Sequence, residues 1–284
     1  DPWADKLAPH TTGILLNGTD ITLMNSRIDF SSGDGVFVGG SGNTVENCAI
    51  TNTDYSGFDE AGITTMGANE TITGNTVERT GRSGIVIRYS PATSVTHNFL
   101  TGIGLLTTDF GGIYTFDTDG GGAEIAYNIV EGYHSAGFGS SGIFLDDGSS
   151  NYVVDHNLAY DVDYGMKMNP PVPSNMVFNN TLSGSQWSLL GNMPDGWDGT
   201  QLVNNIFLGP TSIGNNVLSS NNLFDLPMSQ FVNPASGDYR LAPGAVAIGD
   251  GEFLPPYLVT APGRAPDVGA YEFGTTPFAA GAMI

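Results

Sequence analysis

The chain repeats itself. A glycine followed by a β-branched or long apolar residue recurs at Gly13-Ile14, Gly35-Val36, Gly62-Ile63, Gly84-Ile85, Gly112-Ile113, Gly142-Ile143 and Gly165-Met166. Nine to twelve residues after the apolar member comes a pair of apolar positions five apart: Leu23/Ile28, Val45/Ile50, Ile72/Val77, Val95/Leu100, Ile125/Val130, Val154/Ala159 and Val177/Leu182. An eighth pair, Leu202/Phe207, follows without a glycine start. Each pair encloses an asparagine (Asn25, Asn47, Asn75, Asn98, Asn128, Asn157, Asn180, Asn205), and successive asparagines lie 22 to 30 residues apart. That period is shorter than a propeller blade of about 40 residues and leaves room for three short strands. One such unit cannot bury its apolar face alone. Equivalent strands stacked at about 4.8 Å would bury a continuous core and satisfy every ladder hydrogen bond.

The expected fold is therefore all-β, a parallel β-helix of about eight or nine coils. Ile63, Ile85, Ile113, Ile143 and Met166 should share one internal column. Asn75, Asn98, Asn128, Asn157 and Asn180 should stack inside a bend, where asparagine is read as suited by its tolerance of left-handed conformations. The repeat fades after Leu208 through one degenerate coil. Residues 1–224 are read as the solenoid, with 1–12 as its lead-in, and the Pro-rich, non-repetitive 225–284 as a C-terminal cap.

Composition narrows the partners. The chain has 8 Lys and Arg against 29 Asp and Glu, a formal net charge of −21 that repels nucleic acid and anionic membrane surfaces. No apolar run approaches the roughly 18 residues of a membrane span, so membrane insertion is not expected. The acidity, the Thr/Asn/Gly-rich surface and the sequons at Asn17, Asn69 and Asn179 fit a secreted or cell-surface protein. The single cysteine, Cys48, is read as a small buried hydrophobe.

The Gly-Ile strands and the asparagine column, across roughly residues 13 to 224, resemble the right-handed parallel β-helix superfamily, the pectin-lyase-like fold. The tail DYRLAPGAVAIGDG…PDVGAYEFG resembles the C-terminal end of many secreted bacterial β-helix proteins. The resemblance implies a carbohydrate-active protein with a polysaccharide or oligosaccharide as partner. The pectate lyase calcium and arginine signature and the polygalacturonase Gly-His-Gly motif do not occur here, so those two activities are not carried over.

Within each Gly-Ile strand, alternation turns every second residue outward. Long intervals at 51–62, 101–112 and 131–142, and lengthened turns at 117–124, 146–152 and 169–175, raise both rims around coils five and six, where a trough is expected. Asp119 and Asp146 are read as its carboxylate pair, with Asp117 and Asp147 in the same turns and His134 as a proton carrier reaching over from its loop. Arg88, Tyr114, Phe116, Phe144, Lys167 and Tyr133 are read as substrate-binding, the aromatic rings as faces for sugar stacking. Carboxylates on adjacent coils are what glycoside hydrolysis needs, one protonated as acid and the other ionised as nucleophile or base.

No cofactor is required by this reading, although clustered aspartate oxygens in a Gly-rich turn also suit Ca2+. Two alternatives stay open. In a polysaccharide lyase, Lys167 or Arg88 with Tyr114 or His134 would abstract the proton α to a uronate while a cation neutralises the carboxylate. In a non-catalytic surface or filament subunit the aspartates would serve turns alone, and Trp187 and Trp197 would make an assembly contact rather than a sugar platform.

Overall fold

The computed structural model describes residues 12–135, 139–257 and 265–284. The lead-in up to residue 11 and loop positions 136–138 therefore lie outside the described residues. Among the described residues three parallel sheets of nine strands each carry the fold, every third strand in sequence joining the same sheet, so that they wind through nine coils. The ninth is the degenerate one, with short strands at Thr211–Ser212, Leu218–Ser220 and Leu223–Phe224. No helix among the described residues is long and apolar enough to cross a membrane.

The first sheet is built from the Gly-Ile strands. Val36, Ile63, Ile85, Ile113, Ile143, Met166 and Leu189 pair in register down one column, and all are fully shielded. Each buried side chain of this kind stabilises the fold by about 1.5–3 kcal/mol. The leading glycine is dictated by how closely the coils approach. A Cβ on Gly142 would come within 2.5 Å of the Gly165 carbonyl and 2.7 Å of the Ala159 Cβ. Neither neighbour can retreat, because one is backbone and the other lies in the core. Gly142→Ala is expected to cost about 1–3 kcal/mol of stability, read as a lower urea midpoint at unchanged m; an unchanged midpoint would contradict this account of the glycine column.

The asparagines that close the second bend form a buried column. From Asn75 through Asn98, Asn128, Asn157, Asn180 and Asn205 to Asn222, each Nδ2 donates to the next Oδ1 at 2.9–3.0 Å. Each amide also reaches a backbone carbonyl of the preceding coil, as Asn128 does to Val95 at 2.8 Å. Asn25 and Asn47 do not belong to this column. In coil two the slot is filled by the buried Cys48, whose backbone N–H donates to Asn75 Oδ1 at 2.9 Å. Asn25 and Asn47 sit one residue earlier, the first exposed and the second half-buried, bonded to each other at 2.6 Å.

That earlier position is the left-handed one in every coil: Asn25, Asn47, Gly74, His97, Tyr127, His156, Asn179, Asn204 and Asn221 all have φ between 50° and 64°. The conformational tolerance ascribed to the column asparagine thus belongs to its predecessor. His97 and His156 fall on this corner, as bend residues, and sandwich Tyr127 in a parallel stack at 5.0 and 4.8 Å.

Residues 225–284 are not simply an end cap. The hairpin of Phe231–Asn233 with Asp238–Leu241 and the following turns pack Phe231, Tyr239, Leu241, Ala245, Ala247 and Val268 against Leu158, Ile206 and Leu208 of the third sheet. The tail then runs back along the solenoid. Gly281 N–H donates to the His97 carbonyl at 2.9 Å and Met283 N–H to Asn47 Oδ1 at 2.7 Å. The physical reason is the third sheet's outer face, whose Leu158, Ile206 and Leu208 need cover.

Candidate functional site

On the outer face of the first sheet, Thr64, Val86, Tyr114, Phe144 and Lys167 pair in one outward row. The row is not an open trough. Tyr114 and Phe144 are 0% and 1% exposed and, with Val86 and Ala61, form a small separate apolar cluster against which the partly buried Phe116 packs. Tyr114 and Phe144 meet edge to face at 5.3 Å, so neither presents a free face to a sugar. That expectation is corrected.

A buried ionic network lies beside this cluster. Asp59 pairs with both Arg82 and Arg88, the latter at 2.8 Å, and all three side chains are almost fully buried. Arg88 is thus a structural partner rather than a substrate contact. Arg82 Nε donates to the Asp109 carbonyl at 3.1 Å, and its guanidinium stands 5.2 Å from the Tyr114 ring centroid. Loops 54–60 and 102–109 are tied to the sheet in this way.

The chemistry collects where Asp109, Tyr114, Asp146 and Lys167 approach one another. Asp146, 7% exposed, accepts from three donors: Tyr114 Oη at 2.7 Å, Asn169 Nδ2 at 2.7 Å and the Asp147 N–H at 2.9 Å. Burial, then the charge of Asp146 and more weakly that of Asp109, push the Tyr114 hydroxyl well above its usual range, so it remains a donor. Lys167 Nζ lies 3.5 Å from Asp109 Oδ1 and 4.2 Å from the Phe144 ring centroid.

The remaining expected residues lie elsewhere. Asp119 is exposed; its Oδ1 accepts from Gly121 N–H at 2.9 Å and Asn151 Nδ2 at 2.8 Å, bonds that hold its carboxyl below the usual range. It is a turn former, not the partner of Asp146. Asp117 and Asp147 are exposed in the same stacked turns, where Asp117 N–H donates to the Asp147 carbonyl at 2.8 Å.

Tyr133 is buried in the main core with its hydroxyl on the Ser141 carbonyl at 2.8 Å, so it cannot bind substrate. His134 contacts Asp163 at 3.0 Å and Asp161 at 3.1 Å. Asp163 also accepts from Ser140 N–H, which puts His134 at the start of the strand Ser140–Leu145 while Asp146 follows its end. Six residues at about 3.3 Å each separate the two by roughly 20 Å, too far for a shared proton. Trp197 is fully buried in the core.

Among the described residues no three His, Cys, Asp or Glu side chains converge as they would around a metal ion. In the Asp117, Asp119 and Asp147 turns, Asp119 Oδ1 is already engaged by Gly121 N–H and Asn151 Nδ2.

One carboxyl in loop 54–60 gives a pH prediction. Burial, and then the charges of Glu60 and Asp34, push Asp54 up to about 7 against the opposing Phe58 N–H and Arg82 charge. The folded protein holds this proton while the unfolded chain releases it near pH 4. Its stabilising contribution is therefore complete below about pH 4 and is lost as pH rises to about 7, by a few kcal/mol at most. Asp54→Asn is expected to flatten that part of the profile of urea midpoint against pH; an unchanged slope would assign it to other groups.

Three stacked sheets and an acid-bearing outer face define a parallel β-helix protein. Residues 12–182 match the family model described as right handed beta helix region, so the chain belongs to that family and its winding is right-handed. No curated protein matches the sequence. Solved structures that share the fold include the following two. One is the crystal structure of pectate lyase Pel9A, with a TM-score of 0.50 and 15% identity over 91% of this chain and 87% of that one. The other is a glycoside hydrolase, with a TM-score of 0.50 and 14% identity over 67% of this chain but only 37% of that one. At such identities the likeness is one of fold.

Proposed function

We propose that the protein is an exported carbohydrate-active enzyme that cleaves glycosidic bonds by hydrolysis, with Asp146 and Asp109 as its carboxylates. The observation that carries the reading is Asp146 itself, an outward carboxylate held by Tyr114, Asn169 and its own turn, with a second carboxylate nearby on loop 102–109. Asp146, positioned by these donors, serves as nucleophile or as base toward water. Asp109, whose side chain is 27% exposed, protonates the leaving glycosidic oxygen. Water supplies the hydroxyl that ends on the anomeric carbon. The likeness in fold to a glycoside hydrolase and the net charge of −21, which disfavours polyuronides, support the same reading.

A second reading, β-elimination, is kept alive by Lys167. It sits 9% exposed beside Asp109 and could take the proton α to a uronate; the pectate lyase likeness points the same way. The other bases considered for a lyase fare worse, because Tyr114 is held protonated, Arg88 is paired with Asp59 and His134 is remote. Neither route as proposed needs a cofactor, so chelation should leave the rate unchanged. A panel of neutral and uronate oligosaccharides separates the readings. New reducing ends without an unsaturated product support hydrolysis, both signals together support the lyase, and silence across the panel favours a non-catalytic surface protein.

A further inference from the structure

A pocket of about 380 Å³ opens at the corner between the third and first sheets in the early coils, on loops 54–60 and 102–109 but away from Asp146. It is lined by Phe30, Tyr55, Leu105 and Leu106, which are 71%, 58%, 56% and 58% exposed. Four large apolar side chains left in solvent around one concavity mark an interaction site rather than scattered surface residues. Polar groups border it in a fixed array. Asn52 Nδ2 donates to Asp29 Oδ1 at 2.7 Å and Arg79 Nε to Asn52 Oδ1 at 2.8 Å. Phe30, Asn52 and Arg79 occupy left-handed corners of coils one, two and three, with φ of 63°, 53° and 61°, which stacks them at roughly 4.8 Å intervals along the solenoid axis.

We propose that this pocket is a second glycan-binding site, which holds a neutral segment of the polysaccharide away from the bond being cleaved. The assignment rests on the carbohydrate reading of the outer face. Aromatic and aliphatic walls suit the C–H faces of sugar rings, and the planar amide and guanidinium of Asn52 and Arg79 suit their hydroxyls. The net charge of −21 disfavours anionic occupants.

Continuity along one loop selects a polymer over a small apolar ligand. Leu105 and Leu106 are bonded through their backbone N–H groups to Thr80 and Gly81 at the pocket, and the same loop ends at Asp109, beside Lys167 and Arg82. A chain seated in the pocket can pass over loop 102–109 toward Asp146. Binding energy gained there would be available to orient the reacting sugar.

The test is affinity electrophoresis of the whole chain in gels containing arabinoxylan, mixed-linkage β-glucan, glucomannan or galactomannan, with Phe30→Ala/Tyr55→Ala and Asp146→Asn as variants. Both aromatic side chains are mostly in solvent, so the double variant should fold, with circular dichroism as the control. Retardation by at least one polymer is expected, weakened at least tenfold in the double variant and kept in Asp146→Asn. The inference is overturned by equal retardation of wild type and double variant, by no retardation in any gel, or by a double variant whose only change is from dimer to monomer. Turnover of short oligosaccharides is scored separately. Cleavage without pocket-dependent retardation sinks this site and leaves the hydrolase standing, whereas pocket-dependent retardation without cleavage does the reverse.

Discussion

Asp146→Asn is expected to abolish glycan turnover, with a loss of at least about a thousandfold in kcat and little change in thermal midpoint. The substitution keeps the shape of the side chain, with an oxygen that can still accept from Asn169 and the Asp147 N–H and an amide N–H that can donate to the Tyr114 hydroxyl, but removes the charge that would attack or deprotonate. Tyr114→Phe is the companion measurement. It deletes one of the three donors to Asp146, so kcat should fall by a smaller factor, as the carboxylate loses one of the contacts that fix its position. Activity that survives in Asp146→Asn would remove the carboxylate reading and leave Lys167 as the group to test.

The largest effect on stability is expected from Asn128→Leu. The wild-type amide donates to the Val95 carbonyl at 2.8 Å and to Asn157 Oδ1 at 3.0 Å, and its Oδ1 accepts from the backbone N–H and Nδ2 of Asn98 at 2.9 and 3.0 Å. Leucine leaves these buried groups short of partners at about 1–3 kcal/mol each. The total is comparable with the 5–15 kcal/mol of a whole domain, so the variant should be unfolded or close to it in urea titrations. Asn25→Gly, at an exposed left-handed corner, should be nearly neutral because glycine adopts that conformation freely. Similar midpoints for the two variants would refute the distinction between column and corner.

What could be read from the sequence was what repeats. The Ile63 to Met166 column and the asparagines from Asn75 onward recur because each coil meets the same neighbours in the same geometry, and stacking converts that recurrence directly into contacts. The reading slipped at coils one and two, where an asparagine at the left-handed corner imitates the column and Cys48 holds the real slot. At the outer face the alternation placed Tyr114, Phe144 and Lys167 correctly on the strands, whereas Asp146 falls one residue past the end of Ser140–Leu145. It could not tell that Tyr114 and Phe144 would be closed over, because burial there comes from residues brought in by loops with no period.

Asp59, Arg82 and Asp109 are such residues. Their pairing spans separations that no local spacing encodes, and the only hint was the length of intervals 51–62 and 101–112. Asp119 was misassigned for the complementary reason. An aspartate in a Gly-rich turn satisfies backbone amides as readily as it serves chemistry, and here the turn took it.

The returning C-terminal strap changes how the molecule should come apart. A stack of coils is ordinarily a one-dimensional array in which each unit is coupled only to its neighbours, so that fraying can start at an end and advance coil by coil. The bond from Met283 to Asn47 joins positions 236 residues apart, and Gly281 is fastened to His97 on the way. Fraying of the ninth coil is thereby linked to release of the second, which turns a zipper into a closed hoop. Slow-exchanging amides of coils two to eight should consequently share one opening free energy, where an open-ended solenoid would show a gradient along its axis.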